Sequence, residues 1–475
     1  MNQPPQTLYW HDYETFGLNP GADRPSQFAG IRTDLDLNII SDPDEWFCRP
    51  PNDYLPNPEA CLITGITPQR ALQNGLSENE FINLINQQFS QTNTCVVGYN
   101  NIRFDDEVTR FTLYRNFRDP YQREWKNGCS RWDIIDMVRA CYALRPEGIN
   151  WPVDEDDTPS FRLELLTKEN DLAHTQAHDA MSDVYATIAI AKLIKETHPK
   201  LYGYFFELRK KHNVLAQLKL GSRTPVVHVS GMFPAIQGCA SYVMPMAEHP
   251  TNKNAVIVVD LNKDLTNLES LSVEQIRTYL YSPGCDLPDG IERPAIKLVH
   301  INKCPIIAPA KTLSEQRADQ LGISRQQCRR SLDFLNSHPE LAEKLRQVFA
   351  QDHTPDNNKS AEEMLYSGGF FSTEDKVLID QVCNSTWEQL SEKEFNFEDD
   401  RLAILLWHYR ARNAPESLNS QEREKWTRYR QAYLLENSQT YVEKLDALAL
   451  ENQSNPTKMA LLKQLYDYLN YLHYE

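Results

Sequence analysis

The order of strand-type and helix-type patterns in the first 195 residues restricts the fold more than any other feature of this chain. Residues 7 to 13, TLYWHDY, read as a strand, Phe28 to Ile40 as a second with polar and apolar residues alternating, and Trp46 to Cys48 as a short third. Phe81, Ile82, Ile85 and Phe89 then share one face of a helical pattern over Glu78 to Phe89, followed by the apolar strand Cys95 to Gly98. Further helical patterns fall at about 104 to 117, 133 to 144, 161 to 170 and 180 to 195. Strands first, with helices interleaved afterwards, predict an α/β layer domain on a mixed sheet.

At 475 residues the chain is longer than one core sustains, since cores stop growing near ~250 to 300 residues, and two or three domains are expected. The helical pattern ends around His198-Pro199. PVVHVSGMF (225 to 233), AVIVVDLN (255 to 262) and AIKLVHINKCPII (295 to 307) are β-branched runs separated by Pro, Gly and Asn, which predicts a small sheet or barrel. Helices are expected at about 314 to 320, 324 to 336 and 339 to 350. From 357 the pattern is helical, including Arg401 to Arg412, Ser420 to Glu436, Thr440 to Leu450 and Thr457 to Tyr471. The expected division is therefore 1–197, 198–350 and 351–475.

The amino terminus, MNQPPQTLYW, lacks the charged flank and apolar core of a signal peptide, and apolar runs such as Leu402 to Trp407 fall far short of a membrane span. A cytoplasmic protein is expected. The ten cysteines form no C-x-x-C pair and no zinc-spaced cluster, so they read as free, buried thiols. The net charge of −17 argues at first against a polyanionic partner. It conceals an asymmetry: residues 1 to 197 hold 17 Lys+Arg against 30 Asp+Glu, residues 198 to 350 hold 19 against 14, and residues 351 to 475 hold 13 against 22. An acidic segment that needs cations beside a basic one able to hold a polyanion is a coherent pairing.

Three stretches carry side chains suited to metal chemistry. In HDYETFG, residues 11 to 17, Asp12 and Glu14 are two apart on a strand, so both leave one face and can converge on a cation, while His11 leaves the other. Alone, the pair also fits a strand with an exposed polar face. In YNNIRFDD, residues 99 to 106, Asp105 falls in the first turn of a helix, where unpaired amides favour a carboxylate, and capping accounts for Asp105 or Asp106 equally. In HTQAHDAMSDV, residues 174 to 184, Asp179 has N-cap chemistry, which sets His178 just before the helix and Asp183 on its second turn. That suits a mobile base beside a rigid ligand, with a structural histidine as the alternative. The run Asp154 to Asp157, between Pro152 and Pro159, reads as an exposed loop.

D-x-E on a first strand, N-x-x-F-D after a later strand and H-x-x-x-x-D on the closing helix form the ordered signature of the DEDD exonucleases, in the branch that carries histidine. The stretches HDYETFG, ITGIT, GYNNIRFDDEVTR, RWD, RACYALRPEGINWP and SFRLE, with VHVSGMF and VHINKCP beyond them, closely resemble the bacterial exonuclease I family over nearly the whole chain. The carboxy-terminal third offers the fewest matching motifs. The resemblance implies an α/β, ribonuclease H-like mixed-sheet exonuclease domain, a small SH3-like β domain and a helical C-terminal domain. It implies a Mg2+-dependent 3′–5′ exonuclease that degrades single-stranded DNA to 5′-mononucleotides in DNA repair and recombination.

Under that resemblance Asp12, Glu14, Asp105 and Asp183 supply the hard oxygen ligands that Mg2+ or Mn2+ prefers. Two ions ~3.5 to 4 Å apart would neutralise both ends of an in-line displacement. By resemblance Asp12 bridges the ions, Glu14 and Asp183 complete the site of the nucleophilic water, and Asp105 holds the second ion partly through water. His178 would take the proton of that water at neutral pH. Ile63, Thr64 and Ile66 of ITGIT resemble the family's pocket for the terminal nucleotide, which Glu14 also faces. Asn101 would orient that pocket, Phe16 would stack or lend backbone beside it, and Arg162 would reach a phosphate. For Phe16 and the isoleucines, core packing is the competing reading.

Lys297 and Lys303 of the basic segment could track the strand upstream. The family resemblance further implies a helical domain that closes a groove over the strand and gives processivity. It also implies the acidic tail of the single-stranded-DNA-binding protein as a partner, no membrane association and a monomer. Two alternatives stand beside it: a 3′–5′ exoribonuclease on the same scaffold, because carboxylates and metals do not distinguish sugars, and a noncatalytic DNA-binding repair scaffold.

Overall fold

The apolar residues of TLYWHDYET put this strand at the centre of a sheet, with Leu8, Tyr9 and Trp10 fully buried. The computed structural model describes residues 4–172, 179–288, 290–350 and 359–474. Its first sheet comprises β1 (Thr7–Thr15), β2 (Pro25–Thr33), β3 (Asp44–Cys48), β4 (Gly75–Leu76), β5 (Thr94–Gly98) and β6 (Ser130–Asp133), in the order β4-β3-β2-β1-β5-β6. β1 runs antiparallel to β2, with Asp12 opposite Ala29 and Glu14 opposite Gln27. It runs parallel to β5, where pairing ends at Trp10 and Val97. The carboxyl end of β1 therefore passes beyond its parallel neighbour, the place where open α/β sheets form their sites.

The helix Glu78–Phe89 has the predicted bounds and opens with a Ser77/Glu80 capping box. Its Phe81, Ile82, Ile85 and Phe89 pack on Tyr9, Tyr13, Phe28 and Val96 from the sheet. Fully burying side chains of this size stabilises by ~1.5 to 3 kcal/mol each. The second strand is shorter than expected: it stops at Thr33, and Leu37 turns the chain at φ 69° before a bridge from Thr33 to Ile39. Two short helices, Pro58–Thr64 and Pro68–Asn74, flank the ITGIT stretch, each opened by a side-chain cap (Asn57, Thr67) and a first-turn proline.

The chain divides into two compact units, one holding residues 1–130, 175–185 and 355–475, the other 131–174 and 186–354. In the first unit the carboxy-terminal helices are part of the same core as the amino-terminal segment. Phe16, Tyr54, Cys61 and Ile66 pack with Leu434, Tyr441, Leu445, Leu465 and Leu469. Tyr114 and Phe117 pack with Val382, Leu402, Leu405 and Tyr409. Buried charges reinforce the join: Glu362 meets Arg24 at 2.6 Å, His408 Nδ1 at 2.7 Å and Arg412, while Arg412 donates to both carboxylate oxygens of Asp53 at 3.0 and 2.6 Å.

The second unit holds β7 (Val226–Val229), β8 (Ala240–Glu248), β9 (Ala255–Asp260), β10 (Ile296–His300) and β11 (Ile306–Pro309), in the order β10-β9-β8-β7-β11. Each neighbouring pair is antiparallel. β8 lies outside the predicted runs because Pro245 argues against a strand; the structure places it at a register shift between Pro245 and Ala247. The Asp154 to Asp157 stretch is an exposed turn closed by a Val153–Pro159 bridge, as expected. Among the described residues no helix is long and apolar enough to cross a membrane. None of the ten cysteines forms a disulfide, and eight are buried.

Candidate active site

Parallel strands β1 and β5 deliver carboxylates from their neighbouring carboxyl ends. β1 carries Asp12 and Glu14 on one face, half-buried and buried respectively. β5 leads through Asn100, which has left-handed φ 65°, and the turn Asn101–Arg103 into the helix Asp105–Arg115. Asp105 is the first residue of that helix, and its Oδ1 accepts the backbone N–H of Tyr13 at 3.0 Å. The peptide between Asp12 and Glu14 thus holds the carboxylate that follows β5.

Asp183 comes from the helix Ala180–Thr197, where Asp179 caps the entrance by accepting the backbone N–H of Ser182 at 3.2 Å. One oxygen each from Asp12, Glu14 and Asp183 can be chosen so that all lie within 4.8 Å of one another. Asp105 stands outside this trio but acts on it electrostatically. Burial, followed by the charges of Asp105, Glu14 and Asp183, holds the Asp12 carboxyl well above the usual carboxylate range. Burial, then Asp183 and Asp105, raises Glu14 to about 8. Crowded carboxylate oxygens that raise one another's proton affinity are a donor set that fits a hard divalent ion.

The remaining predicted residues fall into distinct settings. His178 lies outside the described residues. His11, on the opposite face of β1, is buried against Phe89, donates from Nδ1 to the Val97 carbonyl at 3.0 Å, and is lowered by burial to about 4. Ile63 is exposed and Thr64 half-buried at the end of their helix, where Gly65 turns the chain at φ 69° and Thr64 Oγ1 accepts the Ile66 N–H at 3.1 Å. Ile66 is buried, and so is Asn101.

The Phe16 ring is 1% exposed in the core beside Tyr54, so it has no face open for a base; the stacking expectation gives way to core packing. Its carbonyl instead accepts the Asn57 N–H at 2.7 Å, tying the end of β1 to the cap of the ITGIT helix. Arg162 belongs to the second unit, where it is largely exposed and paired with Glu164 at 2.6 Å. Lys297, in the same unit, sits 4.1 Å over the Phe233 ring.

Two residues behind the site had no signal in the sequence beyond the doubled aspartate of FDD. Asp106 turns away from Asp105 into the interior, where its Oδ1 accepts from Arg123 Nη2 at 2.8 Å, with both side chains fully buried.

A family profile described as Exonuclease matches residues 9–191, which makes the sheet and its carboxylates an exonuclease domain. Profiles described as Exonuclease I SH3-like domain and Exonuclease I C-terminal domain match 209–351 and 359–472. The exodeoxyribonuclease I of Haemophilus influenzae is 51% identical over 463 residues, covering 97% of this chain and 98% of that protein. The Escherichia coli exodeoxyribonuclease I is 48% identical over 465 residues, covering 97% of each. The chain therefore belongs to the exodeoxyribonuclease I family. The zinc-bound form of an E. coli exonuclease I–ssDNA complex superposes with TM-score 0.95 at 47% identity, covering 99% of this chain and 100% of that one. A structure of SSB/exonuclease I with the inhibitor CFAM gives TM-score 0.92 at 46% identity, with the same coverage.

Proposed function

We propose that this chain is a Mg2+-dependent 3′–5′ exonuclease that degrades single-stranded DNA to 5′-mononucleotides, using two ions per site, with Mn2+ as a substitute. The observation that carries the reading is the approach of Asp12, Glu14 and Asp183 oxygens to within 4.8 Å of one another on an exonuclease-type domain. Such ions, when bound, neutralise charge on the phosphodiester and make the attacking water more acidic. Asp12, Glu14 and Asp183 would hold them, with Asp105 completing the set. His178, whose ordinary pKa lies near ~6.5, accepts the proton of the attacking water at neutral pH.

Ile63 offers exposed apolar surface to the terminal base, with Thr64 beside the 3′-hydroxyl and Asn101 and Ile66 supporting the turn from within. Arg162 is proposed as a phosphate contact. The parts of the chain are assigned as exonuclease (1–197), basic SH3-like (198–350) and helical (351–475). The relatives with ssDNA and with SSB support single-stranded DNA and SSB as partners; for SSB the proposed contact is its acidic tail. The protein is read as a cytoplasmic monomer acting in DNA repair and recombination.

Matched DNA and RNA oligomers with Mg2+ test the sugar preference. Trimming of DNA with RNA left intact is expected, because rejection of RNA needs contacts at the 2′ position. Preferential trimming of RNA would favour the exoribonuclease reading, and binding of DNA without cleavage the scaffold reading.

A further inference from the structure

The Asp105–Arg115 helix begins with two aspartates that serve opposite sides. Asp105 reaches the backbone of Tyr13 on β1, whereas Asp106 is bound from behind by Arg123. Arg123 comes from the turn Gln122–Glu124, and the next residue, Glu124, takes two hydrogen bonds from Arg110 of the same helix, at 2.8 and 3.0 Å. The turn is thus fastened to the helix at its first residues and again one turn later. On the sheet side, Thr109 Oγ1 donates to the Tyr13 hydroxyl at 3.0 Å. The Arg123 guanidinium lies 5.0 Å from the Phe89 ring centre.

Stability alone is a poor account of this pair. Both side chains are wholly removed from water, and among the described residues Arg123 Nε and Nη1 have no hydrogen-bond partner. Two buried charges with incomplete hydrogen bonding are commonly no more stable than apolar residues of the same volume. What a directional 2.8 Å contact supplies, and an apolar contact does not, is a fixed rotation of the first helical turn. Asp105, one residue earlier, is set by that rotation.

We propose that Asp106 and Arg123 are a buried positioning pair that aims Asp105 at the carboxylate site and thereby sets the site's affinity for divalent cations. The inference rests on the proposed cation-dependent function and assigns no substrate contact to either residue. The double substitution Asp106→Leu/Arg123→Met removes both charges together and leaves neither unpaired. With Mn2+ as the probe, read by electron paramagnetic resonance, its dissociation constant should rise ~10- to 100-fold, the usual effect of losing a partner behind a metal ligand. The turnover rate should fall in parallel, while KM for single-stranded DNA and the melting temperature stay close to wild type.

A folded double variant with wild-type Mn2+ affinity and turnover overturns the proposal. If the double variant does not fold, Arg123→Lys decides: it keeps the charge and loses the planar fork, so weaker Mn2+ binding at an unchanged melting temperature supports the proposal, and unchanged binding overturns it. Asp12→Asn separates the two levels of inference. Mn2+ binding by wild type that Asp12→Asn abolishes upholds the carboxylate site, whatever the pair variants do. A wild-type chain that binds no Mn2+ defeats the cation site and the positioning proposal together.

Discussion

Glu14 shows how a single side chain records the purpose of its surroundings. Burial and the charges of Asp183 and Asp105 raise it to about 8, so without a cation it is protonated at pH 7. A cation must displace that proton. Binding of Mg2+ at pH 7 should therefore release protons from the Asp12 and Glu14 carboxyls, both held above the usual carboxylate range, seen as a dependence of the calorimetric heat on buffer ionisation enthalpy. Glu14→Gln should bind more weakly and release fewer protons, and identical heats in all buffers for the wild type would contradict the assignment. Strand spacing put Asp12 and Glu14 on one face, but they became legible as a set with Asp183 only because the ordered motifs resemble the DEDD exonucleases. Phe16 was not legible: its ring lies in a core cluster that includes Leu465 and Leu469, more than four hundred positions away, and local pattern carries no trace of such partners.

Elements with strong periodicity were read nearly to the residue, as in Glu78–Phe89, while those that defy a local rule were not. The two helices expected at 420 to 436 and 440 to 450 are one, Ser420–Glu451. Asn437 and Ser438 look like breakers, yet their side chains donate to the carbonyls of Tyr433 and Leu434 four residues back and stay within the helix. Short segments opened by proline, such as Pro58–Thr64, give too few turns for periodicity to register. The helix Asp400–Asn413 is held by a charge cluster the sequence does not announce. Burial pushes the Glu362 carboxyl up, but Arg412 and Arg24 outweigh it and hold it well below the usual range. A depressed carboxylate contributes stability that is present above its unfolded value of 4.5 and lost as pH falls through the folded value. Glu362→Gln leaves two buried arginines undercompensated and should cost ~3 to 5 kcal/mol at pH 7. In thermal melts the gap between wild type and variant should narrow below pH 4.5; a gap that is small at pH 7 or widens in acid would contradict this account.

At the scale of the whole chain, the sequence suggested three successive segments, and the family profiles follow a similar succession at 9–191, 209–351 and 359–472. Packing draws a different line. The first and last segments share the clusters around Phe16 and Tyr114 and the ion pairs of Glu362, so they form one compact unit. This was not legible because the residues that join them are separated by the whole basic segment. The order of motifs was enough to recognise the family, since metal chemistry needs particular residue types on particular elements. The central claim is that the Asp12, Glu14 and Asp183 cluster makes the chain a cation-dependent nuclease working from the 3′ end of single-stranded DNA. The most direct measurement follows the products from single-stranded DNA labelled at the 3′ or the 5′ end, with Mg2+, with chelator, and with Asp183→Ala. The prediction is immediate release of the 3′ label as a 5′-mononucleotide, late release of the 5′ label, no release with chelator, and DNA binding without cleavage by Asp183→Ala. Release that persists with chelator, begins at the 5′ end, or is equal for wild type and Asp183→Ala would contradict it.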